Sequence, residues 1–321
     1  NNTSNNDIYN TAVGFSAGGA ISTGVQNTIV GGLAGDAITI GRFNTALGFN
    51  SLSANILTDR NTALGYGTLA SLVGDGSTNN QTTYNVAVGH NAGNLMTTGI
   101  RNTIMGGLAG DALTTGTRNV AIGFQALSAE DAHGYNVAIG NGALQAQNAG
   151  ADAYNTAVGY SAGSAITTAV ENTIVGGQAG DAITTGGYNT LMGVHAGGGL
   201  VEGTDNVAIG WSALKTENAH GGNVAIGKEA LKTLDAGAEG YNVAIGLVAG
   251  KLMTTGTSNT IIGAFAGDAL TTGGSNVAIG YEALTTEDTT GSSVAVGYRA
   301  LRVQNAGSTS YNVAVGTLAG A

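Results

Sequence analysis

One pentad governs this chain: Asn, then Val or Thr, then Ala, Ile or Leu, then Val, Ile, Leu or Met, then Gly. It begins at positions 10, 27, 44, 61, 85, 102, 119, 136, 155, 172, 189, 206, 223, 242, 259, 276, 293 and 312, and Ser293 is the only start that is not Asn. The intervals are 17 residues, except for three of 19 and one of 24. A unit this short cannot bury its apolar face alone, so stability must come from stacking units on one another. Nothing interrupts the series, and residues 1–321 read as a single repeat domain.

Seventeen residues is nearly five α-helical turns, but a glycine inside every unit and the β-branched clusters argue against helix. The pattern predicts an all-β chain: a parallel β-solenoid of about eighteen coils, each with two short strands and two tight turns. The Gly at position five of the coil is expected to carry a positive φ or to sit where backbones approach closely. The Asn column is expected to form an amide ladder that satisfies turn backbone. Position eight is Ala in sixteen coils, with Ser51 and Thr68 the exceptions. Position nine is Gly or Leu, in runs of two or three Gly followed by two Leu, so the coils group in fours and fives. The second coil of each group alone has Ile at position three, as in "NTIVGGQAGDAITTG" from Asn172, and the grouping predicts periodic bulging.

Successive strand residues point to opposite faces. Position four is expected to fill the interior. Position three is never polar, so it is expected to form a lateral face covered by another surface, with Ile29, Ile104, Ile174, Leu191 and Ile261 as its largest members. The eleven tyrosines fall in two columns, seven before the Asn and four after the Gly, a layout that reads as edge packing.

A net charge of −10 with ten scattered basic residues excludes a nucleic-acid partner, which needs clustered Lys and Arg. No apolar run reaches the ~18–20 residues of a membrane-spanning helix, so membrane insertion is not expected. The absence of cysteine removes disulfides and thiolate metal sites. His90, His133, His195 and His220 lie far apart, and no G-x-S-x-G, H-E-x-x-H or Walker string occurs. The expectation is therefore a non-enzyme with no catalytic, metal or cofactor site.

"YNVAIGNGAL", "SNVAIGYEAL" and "YNTAVGYSAG" resemble the head repeats of trimeric autotransporter adhesins, N-S-V-A-I-G-x-x-A. They are more similar still to the N-T-A-V-G-Y-x-A-G arrays of phage tail fibres and bacterial surface fibres. The resemblance covers essentially the whole chain. It implies a left-handed parallel β-roll with three chains side by side, extracellular or virion-borne, serving as a shaft or an adhesive head for a cell surface. The partners it implies are further copies of the chain and a cell-surface glycan or protein. The adhesin repeat is shorter and favours Ser after the Asn, where this chain has Val or Thr.

Insertions in solenoids commonly serve binding. "LVGDGSTNNQTT" is therefore the candidate receptor loop, through Leu72, Asp75, Ser77, Asn79, Asn80, Gln81 and Thr83, with an ordinary long turn as the alternative. A different function is also open. The ten residues from Asn312 to Ala321 and the nine ending at Tyr9, before Asn10, together make one 19-residue coil, which predicts subunits stacking head-to-tail into a filament.

Overall fold

Each pentad supplies a three-residue strand at its second to fourth positions, as in Thr28–Val30 and Val207–Ile209. Val and Thr favour the extended backbone, and the following Gly ends the strand by taking φ near +135°. A computed structural model describes residues 8–76, 79–287, 289, 291–305 and 310–321. Its fold is an all-β parallel β-solenoid without helix. The chain divides into two compact units, Asn1–Val158 and Gly159–Ala321, and the same coil builds both.

Within each unit, strands of successive coils pair in parallel and in constant register, so that like positions stack: Ala208 on Ala225, and Ile209 on Ile226. Among the described residues the coil has one strand, where two were expected. The rest is turn, held to the next coil by backbone hydrogen bonds such as Gly18 N to Ala34 O (3.0 Å) and Leu33 N to Phe15 O (2.8 Å). Thr58–Asp59 and Gln81–Thr82 add a small second pairing.

Two expected columns form. At position five, a Cβ on Gly210 would lie 2.5 Å from the carbonyl oxygen of Gly227 in the next coil. Neither that contact nor its φ of +135° is open to another residue. In the Asn column, Asn27 Oδ1 accepts from Asn44 N at 2.9 Å, while Asn27 Nδ2 donates to Gly41 O at 2.9 Å. The ladder thus satisfies buried backbone groups of two coils at once. The residue before the Asn and the seventh and ninth residues are left-handed, as at Tyr188 (φ 60°), His195 (57°) and Gly197 (57°). Such backbone persists only where its surroundings fix it, and the coil-to-coil hydrogen bonds do so here.

The strand faces the other way round from the expectation. Ile29, Ile104, Ile174, Leu191 and Ile261 are fully buried inside a single chain and form no lateral face. Positions two and four point outward, giving the exposed–buried–intermediate pattern of Thr173–Val175. The reason is the narrow interior, where position three meets the Ala at position eight, such as Ala34, Ala109 and Ala179, all fully buried.

The Gly or Leu at position nine is a volume exchange across this interior. In Leu coils the side chain itself fills the space, as Leu52, Leu127 and Leu214 do. In Gly coils position twelve fills it instead, through residues such as Ile38, Ile183 and Leu270. A Cβ on Gly35 would come within 2.8 Å of Ile38 Cδ1 and 3.2 Å of Ile29 Cδ1. Each large residue at position three sits between two such glycines: Ile29 between Gly18 and Gly35, and Leu191 between Gly180 and Gly197. That packing is why Ile at position three always marks the second Gly coil.

Candidate binding surfaces

The outward strand face carries no charge at all. Position two is Thr or Val and position four is Val, Ile, Leu or Met in every coil. Met105 is 41% exposed, Met192 46% and Leu47 43%. The aromatic columns border this face and are themselves exposed, among them Tyr160, Tyr188, Trp211 and Tyr241. Rings of neighbouring coils stack, as in Phe49 on Tyr66 (5.7 Å) and Tyr66 on His90 (5.1 Å). Cations cover some of them: Arg60 lies over Phe43 and Tyr84, and Lys228 over Trp211. The rings therefore pack on one another and keep one side open.

The 24-residue coil bears a groove of about 470 Å³ lined by Asp75, Gln81, Thr82, Thr83, Thr98, Ile100, Thr115 and Thr117. Three of the predicted loop residues, Asp75, Gln81 and Thr83, line it. Gln81 Oε1 accepts from Asp75 N at 2.8 Å and closes the loop. Thr83 is buried, its hydroxyl donating to Asn61 Oδ1 at 2.7 Å. Asn79 is exposed and Asn80 half-buried; Ser77 lies outside the described residues. Leu72 is core, fully buried at position twelve. Beside Thr82 in the strand pairing, Asp59 is buried, accepts from Arg42 N at 2.7 Å and pairs with the Arg42 guanidinium at 3.1 Å.

A third feature was not anticipated. All four long intervals belong to the second Leu coil of a group, and each follows a first Leu coil with a polar residue at position twelve: Asn55, Glu130, Glu217 or Glu287. All four are fully buried. Three of them hold the turn. Asn55 Oδ1 accepts from Thr58 N at 2.9 Å, Glu130 Oε1 from His133 N at 3.0 Å, and Glu217 Oε1 from His220 N at 3.3 Å. Burial pushes the Glu217 carboxyl up from its ordinary range. The next coil closes over the site: Gln147 Nε2 donates to Glu130 Oε2 at 3.3 Å, and Ala236 N to Glu217 Oε2 at 3.3 Å. The histidines are far from one another, and each of His133 and His220 is instead paired with a glutamate. The available signal was Glu-x-x-His, repeated at the same coil position.

Elsewhere, acids respond to local partners. Lys232, joined by Lys251, holds Glu229 down to about 2. Burial pushes Asp111, Asp181 and Asp268 up. Of the residues expected at the filament ends, Tyr9 and Ala321 are exposed, Asn10 is half-buried at the foot of the amide ladder, and Asn312 Nδ2 donates to Gln304 Oε1 at 2.8 Å.

No protein-family model matches the chain, and no curated protein matches it.

Proposed function

We propose that the chain is a non-enzymatic segment of an extracellular fibre, borne by a cell or a virion, that associates with copies of itself and attaches to a cell surface. The observation that carries this reading is the outward strand face, uncharged in every coil and repeated at constant register. An identical copy presents the same period, so its columns can meet these at every coil, whereas a partner of another period could match only a few. Burying so many half-exposed Val, Ile and Met side chains at ~25 cal/mol per Å² favours association. Three chains side by side is the arrangement that the repeat motif's resemblance suggests.

For attachment, the groove of the 24-residue coil is the favoured surface. Its lining of threonines and Ile100 with one amide and one carboxylate offers apolar surface set with a few polar groups, which suits the ring faces and hydroxyls of a glycan. Light scattering after size exclusion tests the association. A discrete species of three chains is expected, falling to one chain in Ile209→Asp/Ile226→Asp, which charges the face. A wild-type monomer would overturn it. Binding of labelled chain to intact cells, with Thr98→Arg/Thr115→Arg as the groove variant, separates attachment from association.

A further inference from the structure

The buried Glu130 and Glu217 do more than hold a turn. Each has a histidine three residues on, and the imidazole folds back over the carboxylate. His133 Nδ1 lies 3.4 Å from Glu130 Oε1, and His220 Nδ1 lies 3.6 Å from Glu217 Oε1. Both glutamate side chains are fully buried, while the histidines keep about a quarter of their surface exposed. Both Nδ1 atoms are themselves buried, and neither has a hydrogen-bond partner. Each Nδ1 thus meets one carboxylate oxygen and makes no hydrogen bond, which is unfavourable for a buried polar atom, and the arrangement occurs twice. Something that accepts a nitrogen lone pair would relieve it.

A third donor is in reach of each pair. Asp131 completes the first cluster and Asp235 the second, with the ligand atoms of each within 4.8 Å of one another. The two clusters draw that aspartate from different coils. In the first, Asp131 is in the turn itself and Asn148 occupies the matching position of the next coil; in the second, Asn218 is in the turn and Asp235 is in the next coil. The donor set of one His, one Glu and one Asp is the same although its source has moved. A turn-holding role needs only the glutamate, so it does not explain this balance.

We propose that these two clusters are binding sites for a divalent transition-metal ion of the zinc type, each held by one imidazole Nδ1 and two carboxylates. Zinc bonds of ~2.0–2.2 Å in tetrahedral geometry set neighbouring ligand atoms about 3.4 Å apart, close to the observed His–Glu spacings of 3.4 and 3.6 Å. The mixed nitrogen–oxygen set favours Zn²⁺, Co²⁺ or Ni²⁺ over Ca²⁺ or Mg²⁺. The turn is held in advance on its far side too: Gly134 N donates to Asp152 Oδ1 at 2.9 Å and Gly221 N to Glu239 Oε2 at 3.0 Å. The fourth group of coils supplies an internal contrast. Its sequence is Glu287-Asp288-Thr289-Thr290, with Thr290 where the others have histidine, so it should not bind.

Calorimetric titration of the full chain with ZnCl₂ tests this. Two equivalents are expected per chain. His133→Thr and His220→Thr should each remove one, and the double variant both. Asp131→Asn and Asp235→Asn should weaken their own site by ~10-fold or more. Because the fourth group already carries threonine at this position, the threonine variants are suited to fold, which circular dichroism in EDTA checks. The wild type supplies a second readout independent of any variant: Zn²⁺ should shift the ring proton resonances of His133 and His220 and leave those of His90 and His195 in place. No saturable uptake, two equivalents surviving the double variant, or unmoved His133 and His220 resonances would overturn the proposal.

Discussion

Gly coils and Leu coils enclose the same interior and fill it from opposite sides. In a Gly coil the ninth residue is absent as a side chain, position twelve is apolar, and position three can grow to Ile or Leu. In a Leu coil the ninth residue takes the space, position three stays Ala, and position twelve need not be apolar: it is Asn, Glu or Gln at Asn55, Glu217 and Gln304, while Leu72 and Leu234 keep it apolar. Close packing underlies the exchange, since interiors tolerate neither voids nor surplus methylenes. Chemistry thus enters only where the packing duty has been moved elsewhere. The buried carboxylates, the histidines over them and the lengthened coils all belong to the Leu-coil half of a group.

The largest expected effect falls on what the two coil types share. A Cβ at Gly193, in a Gly coil, would meet Gly210 O at 2.6 Å, and one at Gly210, in a Leu coil, would meet Gly227 O at 2.5 Å. Gly193→Ala and Gly210→Ala should each cost about 3 kcal/mol or more in urea melts, from backbone strain and clash together. Clearly unequal losses would break the view that the strand side is common to both. Next comes the exchange itself. Gly267→Leu drives a side chain at Leu270 Cδ1, 2.9 Å away, and Ile261 Cδ1, 3.4 Å away, and should cost about 1–3 kcal/mol. Adding Ile261→Ala should return part of that loss, and a strictly additive double variant would refute the shared volume.

The smallest effect distinguishes the acids of the two coil types. Glu229, in a Leu coil, is lowered from 4.5 to about 2 by Lys232 and Lys251. Its stabilisation is complete above its unfolded value and fades as pH falls toward 2, so Glu229→Gln should be the weaker protein at pH 7 and its equal near pH 2. Asp268, in a Gly coil, is raised above 3.8, burial outweighing its backbone hydrogen bonds. Its contribution is present below 3.8 and lost as pH rises through the folded value, so Asp268→Asn should be the more stable at pH 7. Each difference should be about 1 kcal/mol or less, and thermal melts across pH would reveal it. The same sign for both would erase the distinction.

The parallel stacking was legible because a fixed interval with a glycine at one place leaves few other folds. Strand orientation was not. With positions two, three and four all apolar, the period of two has no polar phase to anchor it, and side-chain size pointed inward at the wrong residue. A better signal lay in Thr at position two, exposed at Thr45 and Thr173, and in the rule that Ile at position three requires Gly at position nine twice over. Of the loop at Leu72–Thr83, Asp75, Gln81 and Thr83 line the groove, while Leu72 is buried in the core beside Leu69 of its own coil. The Glu–His corners escaped because the groups that close over Glu130 and Glu217 come from the next coil, a distance that only the stacking closes.

The coil beginning at Asn189 is a third Gly coil where other groups have two, and Leu191 rests between the glycines of its own coil and the one before it. It shows that a unit can be spliced in wherever its two neighbours offer matching volumes, with no revision beyond the boundary. Such a chain carries a graduated scale: each inserted or excised coil moves everything downstream by one strand spacing, about 4.8 Å. Duplication inside a run of like coils is then a quiet event, and length becomes a trait that heredity can tune in single steps.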